Sequence, residues 1–449
     1  MFGHLDDRSP PTPGAPEMAR VLRRATAVRR GQRRRIGLLA AACIVVAGAA
    51  AGLVAARASR VHLASTETAY QFDALKGPLP LGTPVPTTAL VNVIFASPSK
   101  GFGLAVHRGQ AILAITLDGG STWAVQDDDP PPGFGQGDGH PGQMEFFGDH
   151  GFLWGGTTRF DGGAPLWVSD DSGLTWQKAP IGNGIIDVSA IGPNVWAVAD
   201  ACVAPAPAPC ALTLDVSDSW GARWTTVPAS ALHDVGNTPD AGQPAELARI
   251  TTERAYVLAA GLPSASGAGT ALLYTPDGGA SWLPRPTPCA GAYGLGAEIA
   301  ASGTDDLWLL CGSQGSAGSQ SKELYRSGDG GLTWSLTAAA TGVGTPPPPA
   351  GQSNTLPLGG YIAPFSIGHK NLAVASPTTA WLKPFGSSLY KTVDGGRTWT
   401  PVADLASTEL GQSGLGDITF LSATQGWICA YGVGLWHTDN GTAWKPLGF

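Results

Sequence analysis

One eight-residue phrase, returning at intervals of about fifty residues, restricts this chain more than any other feature. It reads Thr116-Leu-Asp118-Gly-Gly120-Ser-Thr-Trp123, then Ser169-Asp-Asp171-Ser-Gly173-Leu-Thr-Trp176. It returns as Thr275-Pro-Asp277-Gly-Gly279-Ala-Ser-Trp282, Ser327-Gly-Asp329-Gly-Gly331-Leu-Thr-Trp334 and Thr392-Val-Asp394-Gly-Gly396-Arg-Thr-Trp399. Two weaker copies run from Ser217 to Trp224, with Ser219 in the Asp place, and from His437 to Trp444, with Asp439 in the Asp place. The closing tryptophans lie 53, 48, 58, 52, 65 and 45 residues apart. Asp followed by Gly supplies the positive φ that a tight hairpin turn needs. The carboxylate accepts hydrogen bonds from the turn, and the Trp covers it with apolar surface. The role of Asp118, Asp171, Asp277, Asp329, Asp394 and Asp439 in this reading is structural.

A second phrase precedes each turn: an apolar strand, a short polar turn, then a strand with a central aromatic. Clear copies carry Phe102, Trp381 and Trp427, and looser ones centre on Trp154, Trp196, Tyr256 and Trp308. Each repeat therefore predicts four short antiparallel strands, and seven such repeats predict an all-β, seven-bladed β-propeller over residues 89–449. Composition agrees. The chain has 449 residues, 63 Gly, 37 Pro and 15 Trp, and only 14% are charged, which disfavours helical bundles and disorder alike.

On these seven phrases the chain resembles the Asp-box, or BNR-repeat, propellers, a family that includes sialidases, sortilin-type receptors, xyloglucan hydrolases and the photosystem II assembly factor. The resemblance spans about residues 90–449 and implies a fold, with the box residues as scaffold. It does not by itself imply an activity. A sialidase of this family would need three arginines around the substrate carboxylate, a Tyr/Glu pair and an Arg-Ile-Pro phrase. Here the nearest string is Arg249-Ile250-Thr251, without the Pro; the available arginines are Arg108, Arg159 and Arg285, and Tyr431 and Glu323 are unlinked. A hydrolase with two carboxylates could draw on Asp161, Asp200 or Asp234. The xyloglucan hydrolases, however, resemble two propellers facing each other, and this chain has repeats for one.

Ahead of the repeats, residues 36–56 form an uncharged run of 21 residues, long enough to cross a bilayer as a helix. Five arginines (Arg29, Arg30, Arg33, Arg34 and Arg35) precede it. The positive-inside rule then puts residues 1–35 in the cytoplasm and the propeller outside the plasma membrane, with 57–88 as linker; the alternative is a cleaved signal peptide with Ala56-Arg57-Ala58 as its cleavage site, for which a 35-residue leader is long. Residues 1–35 hold nine Arg against three acids, whereas residues 61–449 hold 16 Lys/Arg against 31 Asp/Glu. Such an acidic body excludes nucleic acid as a partner. Cys202 with Cys210, and Cys289 with Cys311, are candidate disulfides suited to an oxidising exterior, which leaves Cys429 over. The sequence carries no Cys/His cluster for a structural metal and no phosphate-cradling loop, so no cofactor is expected.

If the Asp turns join third and fourth strands, they share one end of the propeller with the turns between first and second strands. The long insertions, such as Asp127–Gln143, Gly155–Pro165 and Ala338–His369, then gather at the opposite end. Binding is expected there, with Asp127, Asp128, Asp129, Arg159, Asp161, Arg285 and Lys370 as candidate residues. The acidic run at Asp127 could hold Ca²⁺, but it lacks the alternation of an EF-hand loop and reads as a solvated loop. The expectation is a membrane-anchored, non-catalytic receptor or assembly scaffold for a protein or glycan ligand. The alternative is an exo-acting glycoside hydrolase of sialidase type.

Overall fold

Each repeat folds as four consecutive strands hydrogen-bonded in chain order, giving seven separate four-stranded antiparallel sheets. The structure, a computed structural model, describes Phe72 and residues 75–449 apart from 132–141, 156–164, 202–210, 229–244, 261–269, 290–295, 342–355, 363–370, 385–387, 403–415 and the single positions 314, 316, 317, 431 and 449. Residues 36–56 and the Cys202 and Cys210 pair lie outside the described residues. No helix among the described residues is long and apolar enough to cross a membrane. Blade 1 spans 90–127, blade 2 143–178, blade 3 185–227, blade 4 245–285, blade 5 296–340, blade 6 372–401 and blade 7 416–447.

The core lies between the blades. Seven buried apolar clusters each join one blade to the next. Their centre is a position fixed by register. The residue that opens each Asp turn pairs with the second strand, and the next position along that strand is Phe102, Phe152, Trp196, Tyr256, Trp308, Trp381 or Trp427. All seven are at most 1% exposed. In blade 2 the residue is Phe152, not Trp154 as the sequence phrase suggested. Trp154 lies two positions on and donates its Nε1–H to Ile186 O at 3.1 Å.

Each of these aromatics meets the first strand of the following blade. Phe146 stacks on Phe102 at 3.6 Å, Phe420 on Trp381 at 3.8 Å and Phe95 on Trp427 at 3.7 Å. In these three blades the second strand holds Gly151, Gly426 or Gly101 opposite the phenylalanine. A Cβ at Gly426 would sit 2.4 Å from the Phe420 ring. Arg249 takes the equivalent place in blade 4, its guanidinium 4.4 Å from the Trp196 ring.

The ring closes without strand exchange, because blade 7 draws all four strands from the C-terminal end of the chain. A strap from the predicted linker seals the seam instead. Gly82 N–H donates to Val125 O and Val85 N–H to Trp123 O, so the strap pairs with the outer edge of blade 1. It then enters the first strand through a 3₁₀ turn at Thr87–Ala89, where Gly432 N–H of blade 7 donates to Thr88 O at 2.9 Å. Phe72, Leu79 and Val85, all within the stretch read as linker, are buried in the 7–1 seam cluster.

Gly426→Ala is expected to lower stability by about 1–3 kcal/mol, since the added methyl drives Phe420 off Trp381. The loss should shrink in a Phe420→Leu background, which denaturant melts of the four members of the cycle would measure.

Candidate functional site

The Asp turns consume their own polar groups. In blade 1, Asp118 Oδ1 accepts from Thr122 N–H at 2.9 Å and Oδ2 from Thr122 Oγ1 at 2.6 Å, while Thr116 Oγ1 accepts from Gly120 N–H at 2.9 Å. The same set recurs at Asp171, Asp277, Asp329 and Asp394. Burial works to raise the Asp118 carboxyl, but the bonds from Thr122 and Thr116 hold it below its ordinary value. The bonds from Thr333 bring Asp329 down to about 2. Four of the complete turns place two successive glycines at positive φ, for example Gly119 at 74° and Gly120 at 96°.

The seventh turn departs from the sequence reading. Its acceptor is Asn440, whose Oδ1 takes Thr442 N–H at 2.9 Å and Ala443 N–H at 2.8 Å, and Thr438 fills the hydroxyl place assigned to His437. Asp439 instead lies 3.7 Å from Lys445 Nζ. This turn is one residue shorter and has a single left-handed position, Gly441.

The fourth residue of each turn fixes which end is which. In blades 1 to 6 its N–H donates to the turn between first and second strands of its own blade, as Gly119 to Ser99 O at 2.9 Å and Gly330 to Asp305 O at 3.0 Å. Its carbonyl accepts from the preceding blade at five seams, from Trp427, Gln126, Tyr256, Arg326 and Lys391. The Asp turns therefore share an end with the first turns, and the 2–3 connections lie at the other.

Arg249 and Arg285 work on the Asp-turn side. Arg249 is 2% exposed and donates to Ser189 O, Asn194 O and Asn194 Oδ1. Burial pulls its guanidinium down to about 9, still protonated at neutral pH, and it cannot reach a bound carboxylate. Arg285, expected at the loop end, lies 4.7 Å over the Tyr274 ring and donates from Nε to Gly330 O of the next Asp turn. Glu323 accepts from Tyr325 within its own strand. Arg159, Asp161 and Lys370 lie outside the described residues.

Asp127, Asp128 and Asp129 are brought to a groove of about 890 Å³ between the outer walls of blades 1 and 2. It is lined also by the tight turn His107–Gln110, by Trp167 and by Trp176. Arg108 and Gly109 take φ of 54° and 79°, which aims the turn and carries His107 to the groove. Asp127 is buried and its Oδ1 accepts Asp129 N–H at 3.2 Å. His107 is 7% exposed, its ring lies 4.9 Å from that of Phe72, and its Nε2 has no hydrogen-bond partner. No group of three or more His, Cys, Asp or Glu that could hold a metal occurs among the described residues.

Two features mark the loop end: a disulfide that the sequence offered as a candidate pair, and a buried lysine that it did not single out. The Cys289–Cys311 disulfide, with Cα atoms 5.3 Å apart, ties the segment after blade 4 to the second strand of blade 5. Nearby, Lys322 is fully buried, and its Nζ faces the carbonyls of Gln320, Pro357, Leu358, Gly359 and Gly360 at 2.8–3.4 Å. The ammonium thereby holds part of the long connection after blade 5 against the loop end. Gln320 assists by accepting Ile362 N–H and donating to Ser313 O.

Fold and groove together define a seven-bladed β-propeller with an acidic, aromatic-lined cleft on its outer wall. No model of a protein family matches the chain, and no curated protein matches it. Among solved structures it is similar to YCF48 bound to a D1 peptide, at 16% identity over 81% of this chain and 98% of that one, with a TM-score of 0.48. YCF48 from Cyanidioschyzon merolae gives 14%, 81%, 99% and 0.47. The GH74 xyloglucanase from Xanthomonas campestris gives 17%, 80%, 67% and 0.37. These are distant likenesses, all under 20% identical.

Burial pulls the Lys322 amine down from 10.5 to about 7. A lysine lowered in the folded state releases its proton before the unfolded chain does, so stability should rise as pH climbs from about 7 towards 10.5. Lys322→Met should abolish that slope. It should also cost about 1–3 kcal/mol at neutral pH by leaving the carbonyls without a donor, and speed hydrogen exchange at residues 356–362.

Proposed function

We propose that this protein is a membrane-anchored, extracytoplasmic binding propeller that engages a protein ligand from the end opposite the Asp turns and the adjoining outer wall, without catalysing a reaction. One observation carries the reading: the polar groups of the Asp turns are bonded to one another and to neighbouring blades, whereas the opposite end carries the long connections; the groove is lined from both ends, by the His107–Gln110 turn and by Thr175 and Trp176 of the blade 2 Asp turn. Arg249 and Arg285 are engaged on the Asp-turn side, which weighs against a three-arginine carboxylate clamp of the sialidase kind. The uncharged run 36–56 behind its arginine cluster supports the anchor. The Cys289–Cys311 bond supports an oxidising exterior.

The full chain, extracted in mild detergent, should release no product from fluorogenic sialosides or from plant and bacterial polysaccharides. In intact cells a membrane-impermeant amine label should modify propeller lysines. Turnover would overturn the non-catalytic reading, and propeller lysines shielded until the cells are lysed would overturn the topology.

A further inference from the structure

In every blade the second-strand aromatic that fills the seam is paired across the sheet with one residue of the third strand. Blades 1 to 3 place Ile115, Val168 and Val216 there, and blade 4 places Tyr274. The last three blades carry Arg326, Lys391 and His437. The Arg326 guanidinium lies 3.9 Å over the Trp308 ring and donates to Gly395 O of blade 6 at 3.0 Å. The Lys391 ammonium lies 5.1 Å over Trp381 and donates to Gly441 O of blade 7 at 2.7 Å. Each cation thus has the carbonyl at the fourth place of the next Asp turn. Blade 7 breaks the series. His437 lies beside Trp427, with ring centroids 4.9 Å apart, but the equivalent carbonyl, Gly119 O of blade 1, already accepts Trp427 Nε1–H at 3.0 Å. His437 Nε2 is buried and has no hydrogen-bond partner.

We propose that His437 makes closure of the ring acid-responsive, the 7–1 seam being shut while its imidazole is neutral and parting when the imidazole takes a proton. The neutral ring packs against the indole as one more aromatic. The charged ring holds an N–H at a buried point that offers no acceptor, and burying a charge with an unmatched donor is costly. Burial accordingly keeps the imidazole below its ordinary value of 6.5, with Asp439 of its own turn favouring the proton and Lys445 of the fourth strand opposing it. Blade 6 brings Lys391 to the same turn at Gly441 O, and blade 1 meets Trp427 with two uncharged groups, Gly119 O and the Phe95 ring. A histidine lowered in the closed state favours closure above about 6.5 and withdraws that support as pH falls. Among the seven partners, histidine is the one side chain whose ordinary value lies between pH 5 and 8. Its seam is also the one that can part by itself. The other six join blades consecutive in the chain, whereas this one joins the two ends of the array through Trp427 stacked on Phe95 at 3.7 Å.

The seam contains its own probe. The Cys429 thiol is buried in the 7–1 cluster and donates to Leu90 O at 3.4 Å, so a reagent reaches it only when the seam parts. The test is labelling of the full chain in detergent with 4,4′-dithiodipyridine, which reacts with thiols in acid as well as at neutral pH. The Cys429 peptide is read by mass, and its rate is divided by that of the chain unfolded in guanidinium at the same pH. That ratio should rise by up to about thirtyfold between roughly pH 7.5 and pH 5, the ceiling for a group that titrates at its ordinary value only in the open state. Near-ultraviolet circular dichroism should meanwhile keep its folded intensity. His437→Phe, which keeps a ring on Trp427, and His437→Gln should each flatten the dependence on pH. His150→Gln, in blade 2, should leave it as in the parent. A flat ratio in the parent chain, a rise that survives both His437 variants, an equal flattening in His150→Gln, or loss of the near-ultraviolet signal in step with labelling would each overturn the proposal.

Discussion

Everything in this propeller depends on one contact made seven times, the burial of a second-strand aromatic against the first strand of the following blade. A four-stranded sheet of short strands cannot bury both of its faces alone, so each blade is stable only as part of the stack. Register keeps the aromatic in place. Because it stands one position from the residue that opens the Asp turn, the turn and the seam are set by the same hydrogen-bond ladder, and a slip of one residue would lose both. The Asp turn is therefore more than a tight connection. Its fourth residue gives its N–H to its own blade and, at five seams, its carbonyl to the preceding one, so the polar and apolar parts of each seam are made at one end.

Where the seam residue is not aromatic, other chemistry fills the space. The first-strand partner is phenylalanine at three seams and Arg249 at a fourth, and the smaller Ala190, Ala301 and Val374 occupy the equivalent places in blades 3, 5 and 6. Acidic side chains add a second set of ties closer to the other end. Asp187 accepts Leu247 N–H, Glu246 accepts Ile299 N–H, and Glu298 accepts both Asn371 and Leu372 N–H. Part of the excess acid in the body is thus spent on joining first strands, and the remainder includes the groove.

The fold was legible because glycine, aspartate and tryptophan each answer a local physical demand at a fixed spacing. The errors came where a neighbour could imitate the signal. Trp154 is larger than Phe152 and carries the stronger apolar signal, yet only pairing with the Asp-turn strand decides which of them enters the seam. Asp439 imitates the turn carboxylate, but a shortened turn hands the role to Asn440. The site was legible only in part. Asp127 to Asp129 stand out as a run, whereas His107, Trp167 and Trp176 reach the same groove through tertiary packing of two repeats. The cage around Lys322 is built of main-chain carbonyls, which any residue supplies, so no sequence pattern could have announced it.

The strapped but unexchanged seam between blades 7 and 1 has a consequence for the order of assembly. Phe95 is synthesised more than three hundred residues before its stacking partner Trp427. Throughout that interval the blade 1 face that carries Leu90, Val93 and Phe95 has no neighbour, although its outer edge is already paired with the strap. The nascent ring is thus an open arc with one sticky terminus, and closing it brings together segments more than three hundred residues apart (Cys429 against Leu90, for instance) in a slow, entropy-limited last step. A chain cut short inside blade 7 would keep six seams' worth of repeats and still present that terminus to any other unfinished copy.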